Sequence, residues 1–153
     1  MCTRERMKYF SDIVRGERIA AQFLSTATDW DVEIIAYCFM PDHLHALVEG
    51  MMEQANSRKC ADAFRRISGF YFNQARGSRL WQEGYFDHVL REEETTIAVA
   101  RYIVLNPVRA GLCADASDYP LLGSTRYSLA ELVTAVDWYP PSGSKRRHNT
   151  ALG

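Results

Sequence analysis

The chain has no excess of charge of either sign. Eighteen Lys and Arg stand against nineteen Asp and Glu, a formal net charge of −1, so its average charge gives no argument for a nucleic-acid or acidic-membrane partner. Any such partner has to be argued from local charge. The four cysteines, Cys2, Cys38, Cys60 and Cys113, form no CxxC pair and no metal-knuckle spacing. That speaks against a disulfide framework or a zinc finger and points to a reducing, cytoplasmic setting. No apolar run nears the roughly 20 residues of a membrane helix, and Met1 to Arg6 lacks a signal peptide's apolar core. No internal repeat and no long linker divides the sequence. What remains is 153 residues with 47% apolar composition, enough for one domain with a real core. The expected domain covers residues 1–138, and residues 139–153, running from Pro140-Pro141 through Lys145-Arg146-Arg147-His148, are expected to form a mobile tail.

Periodicity gives a coarse element order. Ile19, Ala20, Phe23 and Leu24 recur at helical spacing and predict an amphipathic helix from about Gly16 to Thr26. Val32 to Met40 is β-rich, Pro41-Asp42 is turn chemistry and His43 to Gly50 reads as a second strand, so the three form a hairpin. From about Met52 to Ala75 the pattern is helical, with Cys60, Phe64, Ile67 and Tyr71 near one face, and Gly77 ends it. Leu80 to Leu90 reads as a loop leading into a short extended segment. Glu92-Glu93-Glu94 is favourable charge for a helix start, and the helix it opens runs to about Asn106, where Pro107 should end or kink it. Leu129 to Val136 predicts one last short helix.

Three constellations carry chemistry. In His43-Leu44-His45 the strand period of two puts both imidazoles on one face and Leu44 on the other. The pair reads either as two ligands of one metal ion or as two histidines alternating on a solvated face. Tyr102 and Asn106 are four residues apart and share a helical face. They read either as a nucleophilic oxygen beside an amide ligand or as a half-buried aromatic followed by a helix cap. Between Ser57 and Arg79, six cations, Arg58, Lys59, Arg65, Arg66, Arg76 and Arg79, face the single acid Asp62, with Phe64, Phe70, Tyr71 and Phe72 interleaved. Cations for phosphates and rings for unstacked bases suit single-stranded nucleic acid. A solvated basic helix whose rings serve the core has the same composition.

Together these residues resemble a known family. Ala36-Tyr37-Cys38-Phe39-Met40-Pro41-Asp42-His43-Leu44-His45-Ala46-Leu47-Val48 resembles the strand-turn-strand of the single-tyrosine HUH transposases of insertion sequences. Leu80-Trp81-Gln82-Glu83-Gly84-Tyr85-Phe86-Asp87-His88-Val89-Leu90-Arg91 and Tyr102-Ile103-Val104-Leu105-Asn106-Pro107-Val108-Arg109-Ala110-Gly111-Leu112 are similar to its REP-associated branch. The similarity runs from about Thr3 to Tyr127, with three motifs in the right order and at compatible gaps.

The resemblance implies an α+β, ferredoxin-like fold, an antiparallel sheet with packed helices, acting on hairpin-bearing single-stranded DNA as a homodimer. It implies His43 and His45 as the metal-binding pair, Asn106 as the residue completing that site, Tyr102 as the nucleophile and a divalent ion, Mg²⁺ or Mn²⁺, as cofactor. On softness, imidazoles favour zinc or manganese over magnesium, so the native metal stays open. The implied product is a 5′-phosphotyrosine with a free 3′-hydroxyl. Arg91 and Arg109 are candidate phosphate contacts. Asp42 stands where an Asn is frequent, a change expected to be tolerated in the turn. Family members usually begin with a whole strand ahead of a segment like Thr3-Arg4-Glu5-Arg6. Here at most Met1-Cys2-Thr3 stands for it, so the first strand is expected to be truncated. The alternatives are a hairpin-binding relative that does not cut, and a metallohydrolase using His43 and His45 with water as nucleophile.

Overall fold

Register between two strands organises the molecule. The structure is a computed structural model, and it describes residues 1–87, 89 and 95–138. Strand β1, Val32–Met40, pairs antiparallel with β2, His43–Gly50, so that Met40 faces His43, Phe39 faces Leu44 and Cys38 faces His45. The two-residue turn Pro41-Asp42 closes the hairpin as the sequence predicts. A shift between Ile34 and Ala36 inserts an extra residue into β1, the signature of a β-bulge. Strand β3, Leu122–Gly123, adds to the other side of β1, giving the order β2-β1-β3.

Alternation sends Phe39 and Leu44 to one face and Cys38, Met40, His43 and His45 to the other. The first face carries helix α1, Ile13–Asp29, and helix α2, Ser57–Arg76. An aromatic cluster seals it, with Phe23 of α1 4.9 Å from Phe64 of α2 and both rings against Phe39. Helix α1 starts three residues ahead of the predicted Gly16 because the Asp12 side chain caps it, accepting from the Arg15 amide. Gly16 sits inside the helix and lets Leu121 approach: a Cβ there would lie 2.5 Å from Leu121 Cδ1. Helix α2 starts at its Asn56 cap and ends at Gly77, whose φ of 66° is the left-handed conformation that stops a helix. Gly69 does not interrupt it.

The second face carries helix α3, Thr96–Val104, and the short α4, Asn106–Arg109, with helix α5, Leu129–Trp138, packed on α3. Thr95 caps α3 through the Ala98 amide, while the acidic run Glu92-Glu93-Glu94 lies outside the described residues, as do Arg91 and the expected tail 139–153. The helix breaks just ahead of Pro107, as expected. The break falls at Leu105, and Pro107 occupies the first turn of α4, where a missing amide hydrogen costs nothing.

Met1–Thr3 runs antiparallel to the start of β2, with Cys2 opposite His43 and Thr3 opposite Trp81 as isolated bridges. Met1–Thr3 thus lies between β2 and residues 80–82, joined to both by isolated bridges. The observed α+β architecture, three antiparallel strands and five helices among the described residues, is the expected fold class.

The Leu80–Gln82 flank is held by a buried chain of bonds in which Trp81 Nε1 donates to Ser68 Oγ at 2.9 Å and Ser68 Oγ donates to Phe64 O at 2.6 Å. Ser68→Ala leaves the indole N–H unpaired in the core, so equilibrium denaturation should show a loss of about 1–3 kcal/mol. Unchanged stability would mean that this link does not hold the flank.

Candidate active site

The two histidines of β2 meet at their ring nitrogens. His43 Nε2 lies 3.0 Å from His45 Nε2, and the rings stand nearly perpendicular at 4.7 Å between centroids. Across from them, Tyr102 of α3 presents its ring edge-to-face to His45 at 5.5 Å. Tyr102 is 50% exposed, so the pair and the phenol border solvent together. Hairpin register places the first two groups and α3 packing brings the third. Burial pushes the His45 pKa down from its ordinary 6.5 to about 4, with further lowering from His43, the N-terminal amine and Arg6. His45 is therefore a neutral imidazole near pH 7, the form that binds metal.

His43 is held from behind. Its Nδ1 lies 2.6 Å from Asp42 Oδ1, and the other carboxylate oxygen of Asp42 lies 3.3 Å from Arg6 Nε. Burial raises the Asp42 pKa, but the His43 hydrogen bond and charge, with Arg6, hold the carboxyl below its usual range. Neither role was apparent from the sequence, where Asp42 read as a turn residue and Arg6 as part of the segment Thr3-Arg4-Glu5-Arg6. Adjacency to His43 was a signal for Asp42. Nothing in the spacing signalled Arg6, thirty-six positions from Asp42.

Asn106 opens α4 and so does not continue the helix of Tyr102, contrary to the single helical face expected. No hydrogen bond ties it to either histidine. Its Nδ2 is buried without a partner, one of two such side-chain atoms among the described residues. An unsatisfied buried amide is the kind of group a ligand would complete, and its oxygen and nitrogen ends exchange by rotation about one bond. Arg109 lies over the Tyr102 ring at 5.2 Å and donates to the Tyr102 carbonyl at 3.2 Å, so it braces the tyrosine's own helix turn.

The residues present fit a divalent ion. Two nitrogens 3.0 Å apart match two adjacent ligands at right angles with bonds of about 2.1 Å. The same separation suits an N–H···N hydrogen bond, in which one ring carries the proton that an ion would replace. Among the described residues no three His, Cys, Asp or Glu side chains cluster as a metal cage. A bound ion would thus rest on two imidazoles, an amide and oxygens from outside the chain.

The basic stretch is divided by α2. Cys60, Ala63, Phe64, Ser68 and Phe72 are buried, while Phe70 and Tyr71 are 57% and 60% exposed. Tyr71 was expected near one face with Cys60, Phe64 and Ile67, and it is exposed. Lys59, Arg66 and Arg76 are exposed on this helix. Arg58 faces Asp87 at 3.7 Å and Arg79 faces Glu83 at 3.2 Å, both at the surface. Arg65 is turned inward, donating to Gln82 O at 2.7 Å with its guanidinium over the Tyr85 ring.

With this geometry in place, the likeness to known proteins becomes informative. The family model described as "Transposase IS200 like" matches residues 1–106. The chain belongs to the IS200-like transposase family. Its relatives within the family include a Haemophilus influenzae protein named as a REP-associated tyrosine transposase, 25% identical over 142 residues that cover 85% of this chain and 78% of that one. A REP-associated tyrosine transposase of Escherichia coli K12 is 27% identical over 113 residues, covering 72% of this chain and 64% of that protein. A solved REP-associated tyrosine transposase bound to a REP hairpin shares the fold, with a TM-score of 0.69 at 19% identity over 95% of this chain and 85% of that one. No described helix of this IS200-like transposase is long and apolar enough to cross a membrane.

The lowered His45 pKa makes a pH prediction. The unfolded chain binds a proton at His45 near pH 6.5, and the folded one near 4, so protonation favours unfolding. Stability should be full above about 6.5, fall on acidification toward about 4, and fall less in His45→Asn, as read by denaturant titrations across that range. An identical acid profile in the mutant would remove His45 as the cause.

Proposed function

We propose that this chain nicks and rejoins single-stranded DNA at hairpin-bearing sequences, with Tyr102 as nucleophile and His43, His45 and Asn106 holding a divalent ion, Mg²⁺ or Mn²⁺. The observation that carries this reading is the approach of Tyr102 to a histidine pair whose Nε2 atoms lie 3.0 Å apart. Family membership supports a transposase-type enzyme. The relatives named as REP-associated, together with a protein of the same fold solved with a REP hairpin, support a DNA hairpin as partner. The resemblance further implies a homodimer, which sedimentation equilibrium would test.

In the proposed reaction the Tyr102 oxygen attacks the scissile phosphorus. A phenol has a pKa of about 10, so its proton must leave as the new bond forms. The P–O3′ bond breaks, the 3′ oxygen departs as a hydroxyl and the phosphate stays on Tyr102 as a 5′-phosphotyrosine. Attack by a 3′-hydroxyl on that ester reverses the exchange and regenerates the phenol, conserving the bond energy for rejoining. A bound divalent ion supplies Lewis-acid stabilisation of the charge on the phosphate oxygens. His43 and His45 would hold it as neutral ligands. Arg109, beside the Tyr102 ring, would offer a cation to the arriving phosphate.

The outer face of α2 suits the rest of the strand. Lys59, Arg66 and Arg76 offer charge, Phe70 and Tyr71 offer rings, and a shallow groove of about 390 Å³ lined in part by Arg66, Phe70, Asn73 and Arg79 runs beside them. Arg58 and Arg79 add cations whose surface pairs are weak.

Incubation with a hairpin-bearing single strand and Mn²⁺ should give a covalent protein–DNA adduct, lost in Tyr102→Phe and strongly reduced in His43→Ala. An adduct at wild-type level in Tyr102→Phe would remove the nucleophile. Binding with no adduct in the wild-type protein would favour the hairpin-binding alternative. Arg66→Ala should weaken hairpin binding and lower the salt slope of log K by about one if it contacts a phosphate, as read by fluorescence anisotropy across a salt series; an unchanged slope would place Arg66 off the DNA.

A further inference from the structure

We propose that Asp42 and Arg6 form a positioning relay for His43, the arginine fixing the carboxylate and the carboxylate fixing the imidazole so that its Nε2 faces His45. The inference rests on the reading of His43 as a metal ligand given above. It begins from the 2.6 Å contact of His43 Nδ1 with Asp42 Oδ1. A carboxylate only accepts, so Nδ1 carries the hydrogen, and the neutral ring then presents its lone pair at Nε2. That nitrogen is the one 3.0 Å from His45 Nε2. Histidines that bind metal ions commonly have the other ring nitrogen held this way, which sets both tautomer and orientation.

The carboxylate is itself fixed at both ends. Its Oδ2 faces Arg6 Nε at 3.3 Å, and Arg6 Nη1 reaches Cys2 Sγ at 3.0 Å. Cys2 is the residue paired with His43 across the isolated bridge, so the four residues close a ring around the back of the imidazole. The Asp42 backbone is anchored separately. Its carbonyl accepts from the Thr3 amide at 2.9 Å, and the fully buried Thr3 hydroxyl lies 2.9 Å from that carbonyl and 2.7 Å from Met7 O. Removing the Asp42 carboxylate therefore leaves the backbone anchor in place.

The loop that delivers Arg6 is unusual. Glu5 and Arg6 are consecutive residues with φ of 54° and 55°, a left-handed conformation uncommon for residues with a Cβ. Such conformations persist where surrounding contacts over-determine them, and they cluster at functional sites. An ordinary surface ion pair does not account for it, because an exposed pair of this kind adds little stability, and the Arg6 side chain is 57% exposed. Orientation of His43 does account for the placement.

The test combines two readouts on Asp42→Ala, Asp42→Asn, Arg6→Met and the double variant of Asp42→Ala with Arg6→Met. In metal-free protein with ¹⁵N-labelled histidine, NMR should show a downfield Nδ1–H resonance of His43 in the wild type. It should persist in Asp42→Asn, which keeps an acceptor oxygen, and vanish in Asp42→Ala. Calorimetric titration with Mn²⁺ alone should show affinity about 10–100-fold weaker in Asp42→Ala and near wild type in Asp42→Asn. Arg6→Met should weaken Mn²⁺ binding less, and should add nothing in the Asp42→Ala background, the non-additivity expected of groups acting through one another. A folded Asp42→Ala that keeps both the resonance and the affinity overturns the relay, and independent, additive effects remove Arg6 from it. If Asp42→Ala does not fold, loss of the resonance in folded Asp42→Asn overturns the relay in the same way. A wild type that shows the resonance but takes up no Mn²⁺ overturns the metal reading instead.

Discussion

The site depends on the register of one hairpin. Because side chains alternate along a strand, the pairing of Phe39 with Leu44 and of Cys38 with His45 decides at once which residues enter the aromatic core and which face the third layer. A slip of one residue would bury the imidazoles among Phe23, Phe39 and Phe64 and expose Leu44. Several contacts oppose that slip. The Pro41-Asp42 turn sets the loop length, the aromatic cluster rewards one face only, and Arg126 bridges Glu33 of β1 and Glu49 of β2 at the far end of the hairpin. The bulge between Ile34 and Ala36 absorbs the one irregularity away from the histidines.

The second requirement is that something approach the histidine face. Helix α3 does so, carrying Tyr102 to the edge of His45, and it is short because the chain breaks at Leu105. That break lets Asn106 begin a new turn with Pro107 behind it and ends in Arg109, whose cation returns to the Tyr102 ring. The candidate nucleophile, the amide and the cation thus come from one eight-residue stretch, Tyr102 to Arg109, and the histidines from another.

Much of this was legible in the sequence, and the reasons differ by residue. The hairpin and its two histidines were readable because period-two alternation and turn chemistry are local. Gly77 was readable because a left-handed helix end favours glycine. Helix ends were missed where a side-chain cap decided them, as at Asp12 and Asn56. The break ahead of Pro107 was readable because proline is as acceptable in a first turn as it is disruptive inside a helix. Tyr71, expected beside Cys60 and Phe64, is exposed, while Phe72, one position on, is the buried ring and packs against Tyr9. The relay from Arg6 through Asp42 was invisible because it is tertiary: two residues far apart in sequence meet only after Met1–Thr3 pairs with β2. Local charge proved more informative than the average, since the near-neutral total concealed a basic, partly aromatic outer face on α2.

The central claim is that β2 presents His43 and His45 as one metal-binding pair beside Tyr102. Anomalous X-ray diffraction from crystals grown with Mn²⁺ tests it most directly. The account predicts one strong peak bonded to Nε2 of both histidines, on the side of the sheet facing Tyr102. Mn²⁺ located elsewhere, or an intact contact between the two imidazoles with no peak at saturating Mn²⁺, would contradict it.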